Sequence, residues 1–170
     1  MSEKRLLVVV DMQNDFVDGA LGTPEARAVV PAVQELLERE RGAGSDVAFT
    51  MDTHGADYLS TQEGRLLPVP HCIRGTHGWQ IIPPLQTGDV RIFEKGAFGS
   101  VELARFARPY EEIVLCGVCT DICVVSNALL IKAFSPEAHV MVAERACAGV
   151  SPDAHEAAIR TMKSCQVDVI

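Results

Sequence analysis

Glu112-Ile113-Val114-Leu115-Cys116-Gly117-Val118-Cys119-Thr120-Asp121-Ile122-Cys123 decides the reading of this chain, because an apolar run passes here straight into the start of a helix. Glu112 to Gly117 has the composition of a buried strand, and Thr120 or Asp121 can cap a helix that Ile122 to Ala133 continues. The junction also delivers a thiol. Cys123 falls in the first helical turn, where unpaired backbone N–H groups and the positive end of the helix dipole favour thiolate over thiol and could hold an oxyanion. On this segment alone, Cys116, Cys119 and Cys123 read first as small buried residues, which is what most free cysteines are.

Working outward, further apolar runs at about 6–10, 46–51, 90–94, 138–143 and 165–170 read as strands, and helical patterns lie near 27–41, 99–107, 121–133 and 152–163. Ser151-Pro152-Asp153 is a strong helix start, with Ser at the cap and Pro at the first position. Strands alternating with helices imply parallel strands joined by right-handed crossovers. The expected fold is α/β: a three-layer αβα sandwich of Rossmann-like type, with a six-stranded, mostly parallel sheet and helices on both faces, forming one domain over 1–170. The carboxyl ends of such strands share one rim, where ligands bind. Asp11 ends the run Leu6 to Val10, Lys95 follows Val90 to Phe93, and Cys123 follows the run from Ile113. The three groups therefore converge on one crevice.

The stretch from Asp52 to Gly88 is the long connection, rich in Gly, Pro and His, and long loops in compact domains are usually functional. If Asp52-Thr53-His54 is extended, the carboxylate and the imidazole project to the same side. With Glu63 and His71 further along, the loop offers an N/O ligand set for zinc, manganese or iron. The same residues read equally as a polar surface loop with solvated histidines.

Composition excludes other classes. A formal charge of −8 and the lack of any basic run argue against nucleic acid and anionic membranes as partners. Met1-Ser2-Glu3-Lys4-Arg5 passes directly into the first strand, without an apolar signal segment, and no stretch is long enough to span a bilayer, so a cytoplasmic location is expected. Six cysteines in a chain that is 48% hydrophobic are expected as free thiols. The Cys116-x-x-Cys119 spacing admits a redox pair, but Cys116 sits inside the strand. His77, His139 and His155 have no partner that sequence identifies.

Asp11-Met12-Gln13-Asn14-Asp15-Phe16, Asp52-Thr53-His54, Pro70-His71-Cys72-Ile73-Arg74-Gly75-Thr76, Lys95 and Gly117 to Cys123 occur in an order that resembles the isochorismatase-like cysteine hydrolases, and within them the nicotinamidases. The resemblance spans nearly the whole chain. It implies a catalytic triad of Asp11, Lys95 and Cys123, and a non-proline cis peptide between Val118 and Cys119 that turns the Cys119 and Cys123 amides toward an oxyanion. It further implies a divalent metal, zinc first, on Asp52, His54 and His71, with Glu63 as a further carboxylate. Phe16 becomes an aromatic wall of the pocket. No organic cofactor is implied, and a homo-oligomer, dimer or tetramer, is expected.

The expected activity is hydrolysis of a small carboxamide to acid and ammonia through a thioester. One departure stands out. The nicotinamidases usually carry a Trp three residues before the histidine corresponding to His71, stacked on the substrate ring, and this chain has Pro68. Carbamoyl or ureido amidohydrolase and isochorismatase-type activity are the alternatives within the same fold, and a non-catalytic metal-binding or redox module is the alternative outside it.

Overall fold

Arg5–Val10 (β1), Asp46–Asp52 (β2), Arg91–Lys95 (β3), Glu112–Val118 (β4), His139–Ala148 (β5) and Asp168–Val169 (β6) form one sheet in the order β3-β2-β1-β4-β5-β6. The computed structural model describes residues 4–85 and 87–170, and every strand pair in it is parallel. Leu6 to Val10 are fully buried, which explains the unbroken apolar run: a central parallel strand is covered on both faces. Chain direction across the sheet reverses between β1 and β4, so a crevice opens at their carboxyl ends.

The connections set the layers. Right-handed crossovers place the segment between β1 and β2 on one face, and the segments after β3, β4 and β5 on the other. The first carries Asn14–Val17 (α1), Pro24–Ala28 (α2) and Val30–Gly42 (α3). The second layer is Val101–Phe106 (α5), Val125–Phe134 (α6) and Pro152–Ser164 (α7), with α5 packed on α6 and α6 on α7. Among the described residues, the connection from β2 to β3 holds only a 3₁₀ turn, Tyr58–Ser60, and the short helix Gln62–Leu66 (α4). Among the described residues no helix is long and apolar enough to cross a membrane.

Several boundaries differ from the sequence expectation, each for a local reason. The pattern at 27–41 is two helices, because Pro31 at the second position of α3 has no N–H to carry the hydrogen-bond ladder back into α2. The strand expected at 165–170 shrinks to two residues, and the strand expected at 138–143 continues to Ala148 past a register shift. Lys95 is the last residue of β3 and not the residue after it. Glu63 lies in the first turn of α4, not in irregular loop. The helix expected at 121–133 opens with a π turn over Thr120–Val124, whose N-cap is Cys119; neither Thr120 nor Asp121 caps it.

At the amino end of the sheet, Arg5 joins the strands to α3. Its guanidinium donates to both oxygens of buried Glu40, at 2.8 and 3.1 Å, and to Glu112 at 2.7 Å, while the Ser45 hydroxyl donates to Glu40 at 2.7 Å.

Candidate active site

Asp11 leaves the end of β1 in the left-handed region, φ 50°, and its fully buried carboxylate turns back under the crevice. Thr50 on the neighbouring strand fixes it: the hydroxyl donates to Asp11 Oδ1 at 2.6 Å and accepts from the Asp11 amide at 3.1 Å. Lys95, at the end of β3, reaches across with Nζ 2.7 Å from Asp11 Oδ2 and 3.5 Å from Cys123 Sγ. The three residues named from strand ends thus meet at one point.

Backbone geometry brings the thiol there. Gly117 has φ 112°, and a Cβ on it would lie 2.1 Å from the Val10 carbonyl oxygen, so only glycine lets β4 close on β1 at this level. The Val118–Cys119 peptide that follows is cis. The π turn is held from outside: the Asp121 carboxylate accepts from the Val150 amide at 3.0 Å, and the Thr120 hydroxyl pairs with His155 Nδ1 at 2.7 Å.

Electrostatics act against one expectation. Cys123 is 5% exposed, and burial pushes its thiol well up, reinforced by the charge of Asp11 and a hydrogen bond to it; Lys95 pulls the other way and does not prevail. Burial thus works against the thiolate expected from a helix start, because desolvation opposes the turn dipole. Burial also raises the Asp11 carboxyl, against the pull of Lys95. Lys95 itself is held protonated, since the attraction of Asp11, Cys123 and Asp52 outweighs its burial.

Beside this group, Asp52, His54, Glu63 and His71 present ligand atoms all within 4.8 Å of one another. His54 Nε2 is 2.8 Å from Asp52 Oδ2 and 3.8 Å from Glu63 Oε1, and His71 Nε2 is 3.3 and 3.6 Å from the same two atoms. Tetrahedral zinc with N/O ligands at about 2.0–2.1 Å separates its ligands by roughly 3.3–3.4 Å, so the cluster has the spacing of a metal cage. The His71 Nδ1 proton is committed to the Val69 carbonyl at 2.8 Å, which leaves Nε2 as the coordinating atom. Buried Asp52 Oδ1 has no hydrogen-bond partner and faces Lys95 Nζ at 3.7 Å. The donor set fits a divalent metal.

Residues that sequence reasoning left without a role hold this loop. The buried Gln13 amide donates to the Asp52 and Trp79 carbonyls, both at 2.8 Å, and accepts from the Asp52 amide at 2.8 Å. Asn14 donates to the His77 carbonyl, and the Asp15 carboxylate accepts from the Cys72 amide next to His71, each at 2.8 Å. Their sequence signals were a polar run placed directly after a buried strand and their place in the Asp11 to Phe16 stretch, neither of which states a role. Cys116 is fully buried and the six cysteines are free.

A cleft of about 920 Å³ opens above the thiol and the four clustered ligands, with Phe16, Phe98 and Leu66 in its walls. Phe16 packs against His71, ring centres 5.5 Å apart. Pro68 is exposed and lies outside the lining.

The isochorismatase-domain profile matches residues 5–170. The chain belongs to that family. Among isochorismatase-fold structures, the pyrazinamidase of Pyrococcus horikoshii in complex with zinc superposes with a TM-score of 0.87 at 30% identity over 98% of each chain. The nicotinamidase/pyrazinamidase PncA of Bacillus subtilis gives 0.83 at 31% identity, again over 98% of each. By sequence, the nicotinamidase/pyrazinamidase of Mycobacterium tuberculosis is 29% identical over 98% of both chains. The isochorismatase fold of these proteins is the sheet order and layering described above.

Proposed function

We propose that this protein is a cysteine amidase that hydrolyses a small carboxamide of the nicotinamide type to the acid and ammonia. One observation carries the reading: a single buried ammonium, Lys95, touches both the Asp11 carboxylate and the Cys123 sulfur at the floor of the cleft.

Each group has a role that its surroundings suit. Asp11, its pKa raised by burial, is a stronger base than a solvated carboxylate and takes the thiol proton as Cys123 attacks the amide carbon. Lys95 stabilises the thiolate in transit and keeps Asp11 ionised until then. Charge then collects on the carbonyl oxygen, with the Cys119 and Cys123 amides as its donors, each worth roughly 3 kcal/mol when preorganised. The proton on Asp11 passes to the departing nitrogen, ammonia leaves, and a thioester remains on Cys123. Water adds to that thioester with Asp11 again as base, releasing the acid and restoring the thiol. A divalent ion on Asp52, His54, Glu63 and His71, zinc by the nature of the donors, would act as a Lewis acid that orients the substrate beside the sulfur.

The cleft weighs against the alternatives. Isochorismate and N-carbamoyl amino acids carry carboxylates, and among the described residues no arginine or lysine lines the cleft walls to receive one, Lys95 beneath them being engaged with Asp11. The decisive experiment measures ammonia released from nicotinamide by the wild-type protein and by Cys123→Ala. Release that survives the substitution excludes the thioester route.

A further inference from the structure

Above its polar floor the cleft changes character. Leu21, Leu66, Leu67, Phe98, Ile122 and Val150 form its upper walls, and Leu66, Phe98 and Val150 are 77%, 46% and 51% exposed although they are large and apolar. Apolar groups are scattered singly over ordinary surfaces; here they are gathered in one cleft with a nucleophile beneath them. Two polar residues of the same lining, Thr23 and Thr61, are committed elsewhere. The Thr23 hydroxyl accepts from the Ala26 amide as the cap of α2, and the Thr61 hydroxyl accepts from Gly64 and donates to the Tyr58 carbonyl.

Phe98 is held in place. Asn127 donates to its carbonyl at 3.2 Å and accepts from the Ser100 amide at 2.9 Å, while Lys95 Nζ donates to the Ala97 carbonyl at 3.2 Å. The ring is therefore presented on a loop tied to the lysine of the floor. Pockets of roughly 300–1,000 Å³ enclose drug-sized ligands, and at about 920 Å³ this one exceeds what a single-ring amide can fill.

We propose that the substrates are carboxamides bearing an extended, uncharged apolar body, with the amide at Cys123 and the body lying along Leu66, Phe98 and Val150; nicotinamide is then the smallest member of the class. This rests on the amidase reading. Removing water from the body and the exposed walls together supplies binding that a bare pyridine ring cannot, about fourfold in kcat/KM for each methylene buried.

The test is steady-state ammonia release from nicotinamide and from a series carrying methyl, propyl and phenyl groups at ring position 5, with the purified wild-type protein, Leu66→Ser and Phe98→Ala. The expected result is kcat/KM climbing through the series, chiefly through KM, by tenfold or more from nicotinamide to the largest members. In Leu66→Ser, which removes a side chain that stands in solvent, the climb should flatten, and Phe98→Ala should flatten it independently. Nicotinamide hydrolysed at a rate equal to or above the whole series overturns this inference and leaves the amidase reading standing. A climb equally steep in both variants overturns the assignment to these walls. No ammonia from any amide, nicotinamide included, overturns the amidase reading and this inference with it.

Discussion

Both ends of the sheet bury charge, and they do so to opposite effect. At the amino end, Glu40 accepts three hydrogen bonds from Arg5 and Ser45 and loses proton affinity: Arg5 holds its carboxyl below the ordinary 4.5, against the opposing effect of burial. At the carboxyl end, Asp11 shares one ammonium with a thiol and a second carboxylate, and burial drives its pKa up. The first cluster is closed and stabilises the fold. The second leaves Asp52 Oδ1 without a hydrogen-bond partner beneath an open cleft. Charge that is fully matched holds a structure together, whereas charge matched only in part stays available to react.

The contrast breaks most visibly if the thiol is removed. Cys123→Ala should lower kcat by roughly 10³-fold or more while circular dichroism and the melting temperature stay close to wild type. Next in size, His71→Ala should lose most bound divalent ion by metal analysis and reduce turnover roughly 10²-fold, with the strands intact. Full occupancy in that variant would exclude the proposed ligand set. At the other end the expected effects reverse. Arg5→Ala should cost about 2 kcal/mol in urea unfolding, less than a fully buried pair because Arg5 is partly exposed, and leave kcat unchanged.

Acid sharpens the same comparison. Glu40 has a folded pKa below its unfolded value, so its contribution is complete above 4.5 and is lost as pH falls through the lower folded value. Asp11 has a folded pKa above its ordinary 3.8, so the base needed for attack is protonated as pH falls through that raised value. Activity should therefore decline at higher pH than cooperative unfolding begins, measured as kcat/KM against pH alongside thermal melts. Coincident loss of both would mean that the two ends are not independent. The smallest expected effect is His155→Ala, which removes one hydrogen bond to Thr120 and should lower kcat several-fold, about 1 kcal/mol, without altering metal content.

Strand ends were legible because apolar runs stop where the sheet stops, and that alone placed Asp11, Lys95 and Cys123 near one another. The ligand set followed from residue types and from the resemblance. What sequence did not disclose depends on contacts between distant segments. Gln13 bonds across 39 and 66 residues, and Arg5 meets Glu112 across 107. The raised thiol pKa of Cys123 is a property of burial, and no local pattern reports how much structure closes over a side chain. The π turn hid because its apolar residues fit an ordinary helix equally well.

Gly117 pairs with Val10 in register, backbone against backbone, with no side chain between them. Asp11 is the next residue on one strand, and the turn bearing Cys123 begins just past the end of the other. The spacing of proton acceptor and sulfur is consequently set by main-chain hydrogen bonds and does not depend on how the surrounding core is filled. Core substitutions that shift this part of the sheet should carry acceptor and sulfur together as one rigid piece, so sequence can drift beneath the site while the reacting pair keeps its alignment.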